Sequence, residues 1–480
     1  MPRECITIQA GQCGNQVGCK FWESALREHA AAASGTRYPA FDDALSSFFR
    51  NVDTRYTPPR EIKAGNCSVP IQCLKARAVL IDMEEGVVNQ LLKGPLSELF
   101  DEKQYITDNS GSGNNWAQGH EFYGPKYSDA ILEKVRHEAE SCHSLQSFFM
   151  LHSLGGGTGS GVGSYVLELL NDMYPKVHRF CTSIFPNAED DDVITSPYNS
   201  LLSMAVLAEH ADCVLPLENQ ALLDIIQKKE SWDAKAEAGQ RLPTSRGGSK
   251  VRPGKPFDEM NGIAANLLLH LTSSMRFEGT LNVDLNEITT NLVPFPRLHF
   301  LVSSMAPYSS SLLSGRLGQQ PHSVNQIFTE VFARENQLIK ASPSSYTYLA
   351  CALLMRGNLC NISDLNQNVS RIKQRLHMVH WNTEGFKIGL CSQPARDMPC
   401  SLLCLANNTC IGSRFATMRE SFSKLYKRKF YVHHYTQYMD IGVFDDSCCQ
   451  VDDLIAEYAA LEVLRPPNTV QRLRSVLAGF

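Results

Sequence analysis

The chain has 480 residues, a formal net charge of −5, 43% apolar residues and 20% charged residues, an ordinary globular balance with enough length for two or three packed domains. That charge supplies no long-range field to draw nucleic acid or an anionic membrane, and no apolar run reaches the roughly 18 residues a membrane helix needs. Met1 to Ala10 lacks the basic, apolar and cleavable pattern of a secretory leader, so the 16 cysteines are expected to be buried reduced thiols, as the apolar settings of Cys181, Cys351 and Cys404 suggest. No CxxC pair meets a second pair, which speaks against structural zinc.

Glu4 to Ala10 alternates Ile6, Ile8 and Ala10 on one side. Ala76–Ile81 and Phe148–Leu151 are continuous apolar runs, the pattern of parallel strands buried on both faces. Between them, Asp129 to Cys142 carries Ile131, Val135 and Ala139 at helical spacing. Further strands are predicted at Phe180–Phe185 and Cys213–Leu217, and strands alternating with helices imply a doubly wound parallel sheet. Two segments read as insertions, near 34–69 and 228–255. The second holds eight Lys/Arg against three acids, a local +5, and reads as a solvated loop or a docking element. Beyond it the spacing predicts a helix over Asn266–Met275 and strands at Arg297–Ser303, Tyr346–Met355, Phe386–Cys391 and Leu402–Ala406. Two amphipathic helices follow, one through Phe415, Met418, Phe422 and Leu425, the other through Val451, Leu454, Ile455, Tyr458 and Leu461. The expected order is a nucleotide domain over 1–256, a mixed α/β domain over 257–413 and a C-terminal helical layer over 414–480.

The strongest chemical signal is His152-Ser153-Leu154-Gly155-Gly156-Gly157-Thr158-Gly159-Ser160-Gly161, after an apolar strand and opening a helix at about Val162. Glycines let backbone N–H groups turn around an anion, and the helix start adds partial positive charge. No G-x-x-x-x-G-K-[ST] occurs, so this is not a Walker loop, and the G-x-G-x-x-G dinucleotide spacing also fails. A plain packing turn is disfavoured by three further loops of phosphate type at other strand ends. Gln9 to Gln16 follows the first strand, and Gln12 can reach a phosphate or a water on Mg²⁺. Asp82-Met83-Glu84-Glu85 ends the next run, where carboxylates suit Mg²⁺, although such acids more often merely start a helix. The third is Ser110 to Trp116. All would meet at the carboxyl edge of one sheet, where open α/β sheets bind ligands.

These residues resemble the tubulin family. GGGTGSG and GQCGNQ are highly specific to it, and GSGNNWA, ARAVLIDME, SPYNS, NLVPFPRLHF and GFKIG follow in family order, so that the resemblance runs from about Pro2 to about Leu464. It implies the tubulin fold with GTP or GDP and Mg²⁺ at the sheet edge. Gln12 and Cys13 would lie at the phosphates and base, and Asp82 and Glu84, with Gln12, near Mg²⁺. Asn114 would face the phosphates, and Ser153 with Gly155, Gly156, Gly157, Thr158 and Gly159 would cradle them. Asp192 would approach the ribose and Asn219 and Asn261 the guanine edge, while Phe257 would stack on the base in place of the usual tyrosine. Ser196 stands where common tubulins carry a ribose-binding glutamate.

The family also implies hydrolysis completed in trans, by a helix start of one subunit reaching the nucleotide of the next. Here that element is Gly279 to Glu287. Asp284 and Glu287, three apart, would orient the water; as a bare motif the pair could equally be a capped helix start. The basic insertion, residues 47–55 and 188–195, and a C-terminus without a glutamate-rich tail resemble the epsilon branch of the family. That branch implies centrioles, basal bodies and cilia, with alpha-, beta- and delta-tubulins and centriolar assembly proteins as partners, and neither nucleic acid nor membrane. The competing reading is a structural GTP-binding cap or adaptor that does not hydrolyse.

Overall fold

The structure, a computed structural model, describes residues 3–32, 40–41, 44–62, 69–186, 193–228, 256–277, 279–308, 323–357, 361–395 and 398–464. Residues 34–39, 42–43 and 63–68 of the first insertion, nearly all of the second, Asp192 and the chain from 465 onward therefore lie outside the described residues.

Six strands form one parallel sheet: β1 (Glu4–Ala10), β2 (Ala78–Asp82), β3 (Tyr105–Thr107), β4 (Leu145–Ser153), β5 (His178–Phe185) and β6 (Cys213–Glu218), in the spatial order β6-β5-β4-β1-β2-β3. The chain winds outward through β2 and β3, crosses back over β1, and winds the other way through β4, β5 and β6. The switch point falls between β1 and β4. The alternation in β1 marks two cores: Ile6, Ile8 and Ala10 face one buried cluster and Cys5 the other, with the whole strand buried. The apolar run expected from Ala76 breaks at Arg77, whose buried guanidinium meets Glu4 Oε1 at 2.9 Å, so that Leu74–Ala76 joins a separate small sheet. Strand β3 has too few residues to show a periodicity of its own.

A second sheet contains β7 (Leu301–Ala306), β8 (Tyr348–Gly357), β9 (Phe386–Cys391) and β10 (Cys400–Asn408), ordered β7-β10-β8-β9, with only β8 and β9 parallel. Val214 N donates to His299 O at 3.0 Å and Glu218 N to Leu338 O at 2.9 Å, joining β6 to the approaches of the second sheet. The helix expected from Asn266 begins ten residues earlier, at Pro256, and runs to Leu271. It packs on the helix Gly11–Ala32, and Met260, Ala264, Leu267, Leu268 and Leu271 share one buried cluster with Phe21, Trp22, Leu354 and Leu405. The C-terminal helices Ile411–Tyr426 and Gly442–Val463 cover the helix Ser196–His210, with the buried Tyr198 ring 5.5 Å from Phe422, 5.4 Å from Tyr435 and 5.3 Å from Phe444. No disulfide forms among the described cysteines; Cys351 and Cys404 come to 3.5 Å as thiols. No helix among the described residues is long and apolar enough to cross a membrane.

One buried charge cluster ties the N-terminal half to the second sheet. Glu28, on the helix Gly11–Ala32, meets Arg276 at 2.7 Å and Arg356 of β8 at 3.0 Å, and all three side chains are out of solvent. The surplus guanidinium charge is met by the carbonyls of Leu269, Gln393 and Pro394 and by the Phe277 ring, 5.0 Å from Arg276 and 5.8 Å from Arg356. Burial alone would raise the Glu28 carboxyl, but the two arginines outweigh it and hold it at about 2, below the usual 4.5. A carboxyl depressed by folding stabilises above its unfolded value and loses that contribution as pH falls through its folded value. Glu28→Gln should therefore cost about 3–5 kcal/mol near neutrality, the range for breaking a buried pair. Denaturant titrations should show the gap from the native chain closing between pH 4.5 and about 2; a gap independent of pH would contradict the ionic account.

Candidate functional site

The loops after β1 and β4 meet backbone to backbone at the switch point. Gly11 has a φ of +73°, and a Cβ there would sit 2.8 Å from Gly159 N, so only glycine permits this contact. Gly157 is equally confined, since a Cβ would lie 2.5 Å from Ser112 Oγ and 2.7 Å from Asn115 N. Ser112 Oγ and Thr158 Oγ1 share a buried hydrogen bond of 2.8 Å, joining the third loop to the glycine loop. At Gly156 an added Cβ would come no closer than 3.9 Å to Asn114 Oδ1 or Ser153 Oγ, so these two polar atoms flank one open hollow. The helix predicted from Val162 begins at Thr158 with a widened turn and continues through Gly163–Met173, aiming its first N–H groups at that hollow. The arrangement suits an extended anion.

Asp82 ends β2 beside the hollow. It is buried, its Oδ1 accepts a long 3.4 Å bond from Glu84 N, and its Oδ2 has no well-formed hydrogen bond. Burial raises its carboxyl to about 6. An orphaned buried carboxylate oxygen at a strand end fits a hydrated divalent cation. Glu84 is exposed next to it and packs by Gly111, whose N–H donates to Met83 O at 2.9 Å. Gln12 is exposed at the start of the first helix. Cys13 is part-exposed, and burial pushes its thiol up to about 12, so it is a neutral contact group rather than a nucleophile.

Two residues with no assigned role hold the loops. Buried Asn199 accepts from Trp116 N at 2.9 Å and Tyr435 Oη at 2.6 Å through Oδ1. Its Nδ2 donates to Asn114 O and Gly155 O, both at 2.8 Å. One amide thus ties the third loop, the glycine loop and the C-terminal layer. His152 is buried and lowered to about 4 by desolvation. As a neutral ring it donates from Nδ1 to Gly159 O at 3.0 Å and accepts at Nε2 from Ser183 Oγ at 2.8 Å. Neither had a local signal, because the partners of Asn199 lie 44 to 236 positions away in sequence.

Asn219 follows β6 at the first turn of the helix 219–228, at the same carboxyl edge of the sheet. Phe257 and Asn261 are four apart on the helix Pro256–Leu271, so they share a face; the Phe257 ring is 58% exposed. That helix start is held to the first helix by Lys20 and Asp258 at 3.7 Å. Ser196 is buried, its Oγ without a partner.

Asp284 and Glu287 are not part of this constellation. Asp284 caps the helix Leu285–Leu292, accepting from Leu285 N at 2.7 Å; its Oδ2 accepts from Gln146 Nε2 and lies 3.6 Å from Arg3. This carboxylate is already engaged, which gives Asp284 the part of a cap rather than of a water-orienting acid. Gln146 sits at the amino end of β4, seven residues before Ser153, so the helix start lies roughly 23 Å along the strand from the phosphate hollow. Glu287 faces outward there, 45% exposed, its Oε2 2.6 Å from Lys387 Nζ.

Residues 4–227 match the profile of the Tubulin/FtsZ family, GTPase domain, and residues 296–420 that of the Tubulin C-terminal domain. The chain is 50% identical to the tubulin epsilon chain of Mus musculus, over 99% of this chain and 100% of that one. It is 52% identical to the tubulin epsilon chain of Homo sapiens, over 98% and 99% respectively. It is 35% identical to the tubulin beta-2 chain of Suillus bovinus, over 95% and 96%.

Because one buried amide spans three segments, Asn199→Ala should weaken guanine-nucleotide retention by about 10- to 100-fold, the equivalent of leaving one or two buried polar groups unpaired at about 1–3 kcal/mol in all. Nucleotide release after gel filtration would measure it. Release at the native rate would show that the loops hold their geometry without this tie.

Proposed function

The chain belongs to the tubulin family, with greater likeness to the epsilon chains than to the beta chain it was compared with, and from that premise we propose that it is a GTP-binding subunit of centriolar or basal-body microtubules whose Glu287 completes hydrolysis on the neighbouring subunit. Membership carries guanine-nucleotide binding, association with other tubulins and a place in the microtubule cytoskeleton. The finer reading follows.

In it, Gln12, Asn114, Ser153 and Gly155 to Gly159 hold the phosphates, and Asp82 and Glu84, with Gln12, hold Mg²⁺. Bound Mg²⁺ supplies charge neutralisation at the phosphates. Asn219 and Asn261 read the guanine edge, Phe257 stacks on the base beside Cys13, and Asp192 approaches the ribose. Glu287 orients a water in line with the γ-phosphorus of a nucleotide held by the next subunit. Asp284 acts with it by capping its helix.

The observation that carries the in-trans reading is polarity: the phosphate hollow is at the carboxyl end of the sheet, while Asp284 is fastened to Gln146 at its amino end. A group at one end reaches a nucleotide at the other only when subunits stack head to tail. Both ends carry exposed aromatic surface that stacking would cover. Tyr431 and Tyr438 line a cleft with Gly113 and Asn114, with Phe122 against Tyr438, and Phe295 and Trp381 pack on each other beyond the helix that carries Glu287. Alpha-, beta- or delta-tubulin, with centriolar assembly proteins, would supply the contacts.

The purified chain is expected to release guanine nucleotide with Mg²⁺ on denaturation; adenine, or none, would overturn the assignment. Glu287→Ala should keep that nucleotide and slow partner-dependent hydrolysis by on the order of 10²- to 10⁴-fold. Loss of the chain's own nucleotide, or hydrolysis at the original rate, would make Glu287 a structural residue and favour the non-hydrolysing cap.

A further inference from the structure

The stretch Gly385–Gly389 has no role so far beyond forming β9, yet it brings a lysine onto Glu287. The approach is built by backbone. Leu390 N donates to Leu281 O at 2.8 Å, and Leu281 N donates to Leu390 O at 3.4 Å, so the loop before the helix Leu285–Leu292 pairs with β9. Gly279 tightens the same seam: a Cβ there would fall 2.1 Å from Leu390 O. On β9, Lys387 is level with Ala352 of β8, the strand against which the helix packs. Its Nζ then meets Glu287 Oε2 at 2.6 Å. That oxygen is sealed from solvent and takes no aligned hydrogen bond, so the contact is one of charge. Of the neighbouring acids, Asp284 faces Arg3 and accepts from Gln146, and Glu384 faces Lys373.

We infer that Lys387 is a positioning residue for Glu287, a role that rests on the in-trans reading above. On an isolated surface such a pair contributes about 0–1 kcal/mol. Docking changes its setting. Phe295, three residues past the helix that carries Glu287, and Trp381, five residues before β9, are 44% and 43% exposed with ring centroids 6.0 Å apart. A partner that covers the Glu287–Lys387 pair along with these rings excludes water around it and strengthens it. Two consequences follow. A lone carboxylate approaching a neighbour's triphosphate meets like charge, whereas the pair approaches nearly neutral. With one oxygen pinned by Lys387, the other is fixed toward the incoming water, and such orientation is what a positioned acid needs.

The test uses the full-length chain mixed with GTP-loaded alpha–beta tubulin, reading partner-dependent GTP turnover at saturating and at sub-saturating partner. K387M should keep its own guanine nucleotide yet turn over about tenfold more slowly at saturating partner, the scale of one misplaced contact at about 1.4 kcal/mol. K387R, which retains the charge, should return to within about threefold of the native rate, a rescue that loss of packing would not show. K387Q is the alternative should K387M be poorly folded. A native rate in both neutral variants, or K387R as slow as K387M, overturns the positioning role. E287A separates the two levels: a slow E287A beside an unaffected K387M removes only the role of Lys387. An unaffected E287A, or no stimulation of the native chain, removes the in-trans reading and this proposal with it.

Discussion

Two backbones touch where the sheet changes direction. Gly11 stands so close to Gly159 that no side chain fits between them, and everything at the carboxyl edge is arranged around that contact. Strands β1 and β4 are adjacent only because the chain turns back there, so their two loops form the two banks of one hollow. Gly157 lets Ser112 and Asn115 press in from a third loop. Asn199 and His152 then fasten what the glycines leave free, one by four hydrogen bonds and the other by two. Floppy residues give the close approach, and rigid buried polar ones fix it.

The same sheet separates binding from chemistry. Strand β4 is a ruler: its last residue, Ser153, flanks the phosphate hollow, and its second, Gln146, holds the cap of the helix that carries Glu287. In the proposed reading, such a subunit would hold nucleotide with one end and offer an acid with the other, which would link nucleotide state to subunit contact through the geometry of the sheet. The buried Glu28 with Arg276 and Arg356 keeps the two halves in fixed relation, which a mechanism spanning the molecule requires.

Much of this was legible in the sequence because it is written in local pattern. Strands β1 and β9 run as expected, and β4, β5, β6, β8 and β10 differ only at their ends. The loops at Gln12, Asp82, Asn114 and Gly155 announce themselves by composition, and contacts at Gly11–Gly159, Glu84–Gly111 and Ser112–Thr158 join them. What was not legible depends on distant partners. The break at Arg77 follows from Glu4, and Asn199 looks like any residue early in a helix. Asp284 resembles half of an acid pair until Gln146, 138 positions away, takes up its carboxylate. Lys387 lay inside a recognisable stretch without chemistry until the fold set it against Glu287.

The central claim is that Glu287 serves a neighbour's nucleotide and not its own. A cryo-EM reconstruction of the chain bound to partner tubulin, with a slowly hydrolysed GTP analogue in both subunits, tests it directly. The account predicts Glu287 within one water of the neighbour's γ-phosphate and roughly 20 Å or more from its own, as the length of β4 requires. A contact that leaves Glu287 facing solvent, or that folds its helix back toward the Gly11–Gly159 hollow of its own chain, would contradict it.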